Sequence, residues 1–216
     1  MSCVKHMTMS SPEIRAFKGI LYNKDKIGGI ERVVCPPYDV ITDAQAYYQK
    51  SDHNAIRLEL PVPHEDLDQY AAAKRTMQNW LTQKVLVQDP NSIYVYEQEF
   101  EFLGRVLTRR GFIALHRLDA KKILTHEETR KKAKADRERL IGTLKTFTSF
   151  IFGLYEDQEL CIEEMLSAPK KEIIYDFVDE QSIRNRFYRV SDAETLATLA
   201  SLMSSKKIYV ADGHHR

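Results

Sequence analysis

Residues Ser92 to Phe102 alternate strongly. Tyr94, Tyr96, Phe100 and Phe102 share one side of a two-residue repeat, and Glu97, Glu99 and Glu101 share the other. Successive Cβ atoms of a strand point to opposite faces, so this pattern predicts a strand with an aromatic and an acidic face. Leu103-Gly104 can turn the chain, and Arg105 to Arg117 reads as the returning strand. The acidic face beside a basic return strand predicts cross-strand ion pairs, and the aromatic face predicts core.

Helical segments surround this hairpin. Leu67, Tyr70, Ala71, Met77, Trp80 and Leu81 recur at helical spacing, which predicts a helix from Glu65 to Gln83 with Trp80 in the core. Arg130 to Thr146 and Glu159 to Leu166 also read as helices, the second ending at Pro169. Asp192 suits the N-cap of a helix through Met203, and Thr42 or Asp43 that of a short helix through Tyr48. Ile14 to Tyr22, Ala55 to Leu60, Phe150 to Tyr155, Ile173 to Val178, Phe187 to Val190 and Ile208 to Val210 read as strands. Gly28-Gly29 marks a turn. Cys35 to Ile41 is a stiff loop, because Pro36 and Pro37 fix φ and remove two donors. Hairpin and crossover connections together predict a mixed α/β (α+β) fold.

At 216 residues the chain can bury a sizeable core. The expected organisation is a flexible leader over 1–12, with Met7 or Met9 as alternative starts, and an α/β domain over 13–216. A net charge of +1 gives no global case for nucleic-acid binding. No apolar stretch approaches the roughly 20 residues of a membrane span. Met1 to Ser11 lacks the apolar centre of a signal peptide. Cys3, Cys35 and Cys161 are few and far apart, which predicts reduced thiols in a cytoplasmic protein. Cys35 reads as a small packed residue rather than a nucleophile.

Three segments can carry chemistry. The first is Ala211-Asp212-Gly213-His214-His215-Arg216, which follows the strand at Ile208 to Val210. Glycine lets a backbone approach an anion closely, and His and Arg add donors. A phosphate loop of this kind leads into a helix N-terminus, so the chain reads as part of a longer protein. Asp-Gly is also an ordinary turn, and the histidines can be surface residues or the start of a clipped tag. The second is Thr125-His126-Glu127-Glu128-Thr129, suited to acid–base work or to a capping box from Thr125 to Glu128. It leads into Arg130 to Arg139, with six basic and two acidic residues, readable as a solvated helix face, a phosphate-facing wall or a nucleic-acid patch, the last without the aromatic interleaving that single strands favour. The third is Pro36-Pro37-Tyr38-Asp39, a rigid loop able to present Tyr38 or Asp39 to a pocket.

Together with Phe17-Lys18-Gly19 and Leu21-Tyr22-Asn23, these segments resemble a bacterial domain-of-unknown-function family, number 1015, sometimes labelled ParB-like. The resemblance runs from about Ile14 to Arg216, and family members continue beyond it. The Asp212 to Arg216 loop is similar to the phosphate loop of the wider ParB/sulfiredoxin superfamily, and closest to that of free-serine kinases. Sulfiredoxin carries a catalytic Cys in the loop where this chain has His214, which argues against sulfinic-acid repair. The resemblance implies a ParB/sulfiredoxin-like nucleotide-binding core with an added β-hairpin and helices.

It further implies a phosphotransferase using ATP or ADP with magnesium on a small hydroxyl substrate, free L-serine first. Gly213, His214, His215 and Arg216 would hold the phosphates, and Asp212 the metal. Glu127 would serve as base, with Asp212 second and His126 beside them. Tyr38, Asp39, Lys134, Asp136 and Arg137 would face the substrate. The alternative is a nucleotide-binding switch or scaffold without kinase activity. No membrane or nucleic-acid partner is expected.

Overall fold

The computed structural model describes residues 13–127, 131–168 and 171–216. The expected leader, Cys3, the cap residue Glu128 with Thr129 and Arg130, and Pro169 lie outside them. The chain forms a mixed α/β fold in two compact units. The first takes residues up to 19, 88–124 and 155–209. The second takes 20–87, 125–154 and 210–216.

The first unit is built on β3 (Leu86–Phe102), which enters it at Gln88. β4 (Arg105–Ile113) and β9 (Arg184–Val190) pair with β3 antiparallel, and β8 (Glu172–Val178) lies outside β9. Leu103 and Gly104 both have positive φ, 50° and 72°. A two-residue turn of that kind matches the twist of the strands it joins. β1 (Ile14–Arg15) pairs with β5 (Leu115–His116), and β6 (Ile123–Leu124) runs parallel to the start of β10 (Ile208–Asp212). β2 (Phe17–Tyr22) crosses into the second unit. Helices α7 (Cys161–Ser167) and α8 (Ala193–Met203) bring Ile162, Leu166, Leu199 and Met203 against Ile14, Ile93, Val95 and Val190. Asp192 caps α8 as expected, accepting from the Thr195 N–H at 2.9 Å.

The two faces of β3 divide differently from the alternation. Tyr94 is core, stacked on Phe187 at 5.1 Å, but Phe102 is 57% exposed near the hairpin tip. Glu97, on the acidic face, is buried. It accepts from its cross-strand partner Arg110 at 2.8 Å, from Lys171 at 2.6 Å and from the Tyr188 hydroxyl at 3.1 Å. Burial opposes its charge, but those donors outweigh burial and hold the carboxyl below its usual range. The cross-strand pairing was legible. The burial was not, because it depends on the helices that cover this face.

The second unit is largely helical: α1 (Lys24–Ile27), α2 (Ile30–Val33), α3 (Ala44–Lys50), α4 (Ile56–Glu59), α5 (Gln69–Thr82) and α6 (Lys131–Leu144). Its core gathers Ile27, Val33, Leu58, Tyr70, Met77, Trp80, Leu140 and Leu144. Asp43 caps α3 as expected, and Asp68 caps α5. β7 (Phe152–Leu154) lies beside β10. The expected strand at Ala55 to Leu60 is instead the one-turn helix α4. Buried Asn54 is the reason. Its amide donates to the Arg32 and Val34 carbonyls at 2.8 and 3.1 Å, and its oxygen accepts from the Ile56 N–H at 3.0 Å. That tertiary pin starts the turn and overrides the apolar pattern.

Cys35 is a free thiol. Among the described residues no helix is long and apolar enough to cross a membrane.

Candidate functional site: the histidine–arginine turn

All three singled-out segments contribute to the second unit. β10 ends at Asp212, and Gly213 then turns with φ at +85°. The Arg216 N–H closes the turn on the Gly213 carbonyl at 3.0 Å. A Cβ on Gly213 would lie 2.7 Å from Arg216 Nη1 and 3.1 Å from the Ile151 Cα. The arginine can give way, but the Ile151 backbone cannot do so cheaply. Gly213→Ala therefore combines a left-handed backbone with a clash. It should lower stability by about 1–3 kcal/mol, read as a lower urea midpoint.

His214 meets the His126-Glu127 segment. Its Nδ1 lies 3.4 Å from Glu127 Oε2, and its ring stands edge-on to His126 with centroids 4.8 Å apart. The His214 side chain is 5% exposed, and its Nε2 has no hydrogen-bond partner among the described residues. Glu127 is 51% exposed at the side chain, so solvent can reach its carboxylate. His215 is half-buried on the same turn.

Arg216 meets the proline loop. Its side chain is 1% exposed; Nη2 donates to Asp39 Oδ1 at 3.0 Å, and Nη1 reaches Asp212 Oδ2 at 3.4 Å. The Tyr38 ring meets two guanidiniums, with Arg137 Cζ at 4.2 Å and Arg216 Cζ at 5.4 Å from its centroid. Burial, then the charge of Asp39, pushes the Tyr38 phenol above its usual range, so it stays neutral at ordinary pH.

Behind this surface lies a buried polar network. Arg137, on α6, donates to the Glu59 carbonyl at 2.9 Å and to Asp136 Oδ2 through Nε and Nη2 at 2.9 and 2.6 Å. The Tyr70 hydroxyl donates to the other Asp136 oxygen at 2.7 Å. Burial works against the Asp136 charge, but Tyr70 and Arg137 prevail and hold its carboxyl below the usual range. The buried Glu59 carboxylate accepts from the Tyr38 N–H at 3.2 Å, from Ser149 Oγ at 2.9 Å and from Thr148 Oγ1. The Cys35 thiol is pushed up to about 12 by burial and by the charge of Glu59, which suits the packed reading.

The structure thus brings together Glu127, His126 and His214 on one side of the turn, and Tyr38, Asp39, Asp212 and Arg216 on the other. Asp136 and Arg137 are tied to each other; Arg137 is buried, while the Asp136 side chain is 40% exposed. Lys134 stands exposed on α6. The solvated-face reading of α6 holds for Lys131, Lys132, Lys134, Glu138 and Arg139, and Arg137 is the exception. α6 begins at Lys131, so Thr125 lies well ahead of it rather than at its N-cap.

Glu59, Thr148 and Ser149 escaped the sequence reading, which saw Tyr70 only as part of a helix's apolar pattern. The one signal for Glu59 was a carboxylate inside the apolar run Ile56 to Leu60.

Fold and site together define a mixed α/β protein whose loop carries paired His, Arg and carboxylate side chains. Residues 14–216 match the family described as "Protein of unknown function (DUF1015)", and the chain belongs to that family. No curated protein and no solved structure matches it.

Proposed function

We propose that this chain is a cytoplasmic, nucleotide-dependent phosphotransferase acting on a small hydroxyl substrate, with free L-serine as the first acceptor to test. One observation carries the reading: the His214 to Glu127 contact, which brings a reachable carboxylate to the glycine turn. Phosphoryl transfer needs charge neutralisation and in-line placement more than covalent help.

The turn has the features an anion requires. Gly213 gives the turn its left-handed bend, and two buried nitrogens, His214 Nε2 and Arg216 Nε, have no partner among the described residues. A nucleotide's phosphate oxygens would accept from such groups. Magnesium fits only in a particular way. Among the described residues no group of three His, Cys, Asp or Glu could hold a metal ion. A magnesium ion that keeps its waters and takes one carboxylate suits this donor set, and Asp212 is that carboxylate. When bound, the nucleotide and metal supply the phosphoryl group and its charge neutralisation.

The chain's own residues do the rest. Glu127 takes the proton of the acceptor hydroxyl, and His214, with the His126 ring edge-on against it, holds that carboxylate in place. Tyr38 and Asp39 stand beside Arg216 of the turn, where they would face the substrate. Lys134, exposed on α6, meets a substrate carboxylate more readily than Arg137, which is buried and paired.

Incubation with γ-labelled ATP or β-labelled ADP, magnesium and a panel of amino acids tests the proposal. Labelled phosphoserine is the expected product. Nucleotide binding without transfer to any acceptor would replace the kinase with a nucleotide switch. Absence of binding would end both.

A further inference from the structure

We propose that Asp39 is a tethered competitor for the phosphoryl-binding position at Arg216, and so sets how tightly the turn takes an oxyanion. This rests on the phosphoryl-loop reading above. A guanidinium offers five donors in a fixed fork that suits a carboxylate and a phosphoryl group equally. In this chain the fork already holds carboxylates. Nη2 is on Asp39 at 3.0 Å and Nη1 is on Asp212 at a longer 3.4 Å.

The Asp39 side chain is 35% exposed and that of Asp212 59%, over an Arg216 side chain that is 1% exposed, so both carboxylates stand between Arg216 and water, and the one held closer, on Nη2, is Asp39. An oxyanion reaches Nη2 only by displacing it. Two further atoms point to a ligand. Arg216 Nε and His214 Nε2 are buried without a partner among the described residues. An unmet buried polar atom is costly, and a phosphoryl group can meet more than one.

The exchange is local. Asp39 sits in a turn closed by the Val40 N–H on the Pro37 carbonyl at 3.1 Å. Tyr38 beside it is fixed, its N–H on Glu59 and its ring against Arg137 and Arg216. The Asp39 side chain can therefore swing out while the loop stays in place. A ligand that binds only the open form has its apparent affinity reduced by the open fraction. Removing the competing charge removes that reduction.

The test is calorimetric titration of wild type, Asp39→Asn and Asp39→Ala with pyrophosphate, ADP and adenosine, with thermal melts to check folding. Both variants should bind pyrophosphate and ADP roughly tenfold more tightly than wild type, while adenosine, which lacks a phosphoryl group, is unaffected. Unchanged or weaker pyrophosphate binding by two folded variants overturns the proposal, as does failure of all three chains to bind it. The kinase reading fails separately. Its loss of labelled product leaves this binding comparison intact, and a productive kinase with no Asp39 effect removes only the competitor.

Discussion

Glu59→Ala should destabilise the protein by about 3–5 kcal/mol, close to the cost of breaking a buried charged network. Wild-type Glu59 is buried at 2% exposure and accepts from the Tyr38 N–H and from the Thr148 and Ser149 hydroxyls. Its carboxylate also lies 3.8 Å from the guanidinium of Arg137. Truncation strands those donors and leaves a cavity below the proline loop. Against a total stability of about 5–15 kcal/mol, that is a large share. Glu59→Gln keeps the volume and one acceptor oxygen but loses the charge. It should cost less, about 1–3 kcal/mol. Urea unfolding reads both as a lower midpoint with an unchanged slope. Equal, near-zero effects from the two variants would mean that the network carries no stability.

What the sequence could reveal follows from how local each signal is. The hairpin at Leu103-Gly104 was legible because its turn chemistry and its alternation lie in adjacent residues. So were the caps at Asp43 and Asp192, where an acidic side chain reaches an amide three residues on. α4 was not legible. Its turn is started by Asn54, whose partners Arg32 and Val34 are some twenty positions earlier. Arg137 shows the same limit. In sequence it is one cation among six, and only the stripe of Arg137, Leu140 and Leu144 turned toward the core separates it from its exposed neighbours.

The candidate site divides along the same line. The residue types of the turn and of His126-Glu127 could be picked out by chemistry. Their contact joins positions far apart in the chain and needed the fold. The partners of Arg216 were open to two readings. A basic residue after glycine suggests an anion, and the structure instead gives it Asp39 and Asp212. Both readings meet if the carboxylates mark where the anion goes.

Glu127→Gln should lower the rate of labelled phosphoserine formation about 10²–10⁴-fold, the range for losing a positioned general base. The amide keeps the shape and one acceptor oxygen but cannot take a proton. Its effect on folding should be small, within about 0.5 kcal/mol, because the wild-type side chain is half exposed and its ion-pair contact among the described residues is the 3.4 Å approach to His214. Nucleotide affinity should also be nearly unchanged, since the turn itself is untouched. The loss therefore belongs in turnover rather than in binding. Asp212→Asn separates the remaining candidate. Asp212 shares Arg216 with Asp39, so its loss changes both the charge at the turn and the oxygen offered to magnesium. Its signature is a shift in magnesium dependence that Glu127→Gln does not show. If Glu127→Gln retains full turnover while Asp212→Asn abolishes it, the proton goes to Asp212, and the contact with His214 serves only to hold two segments together.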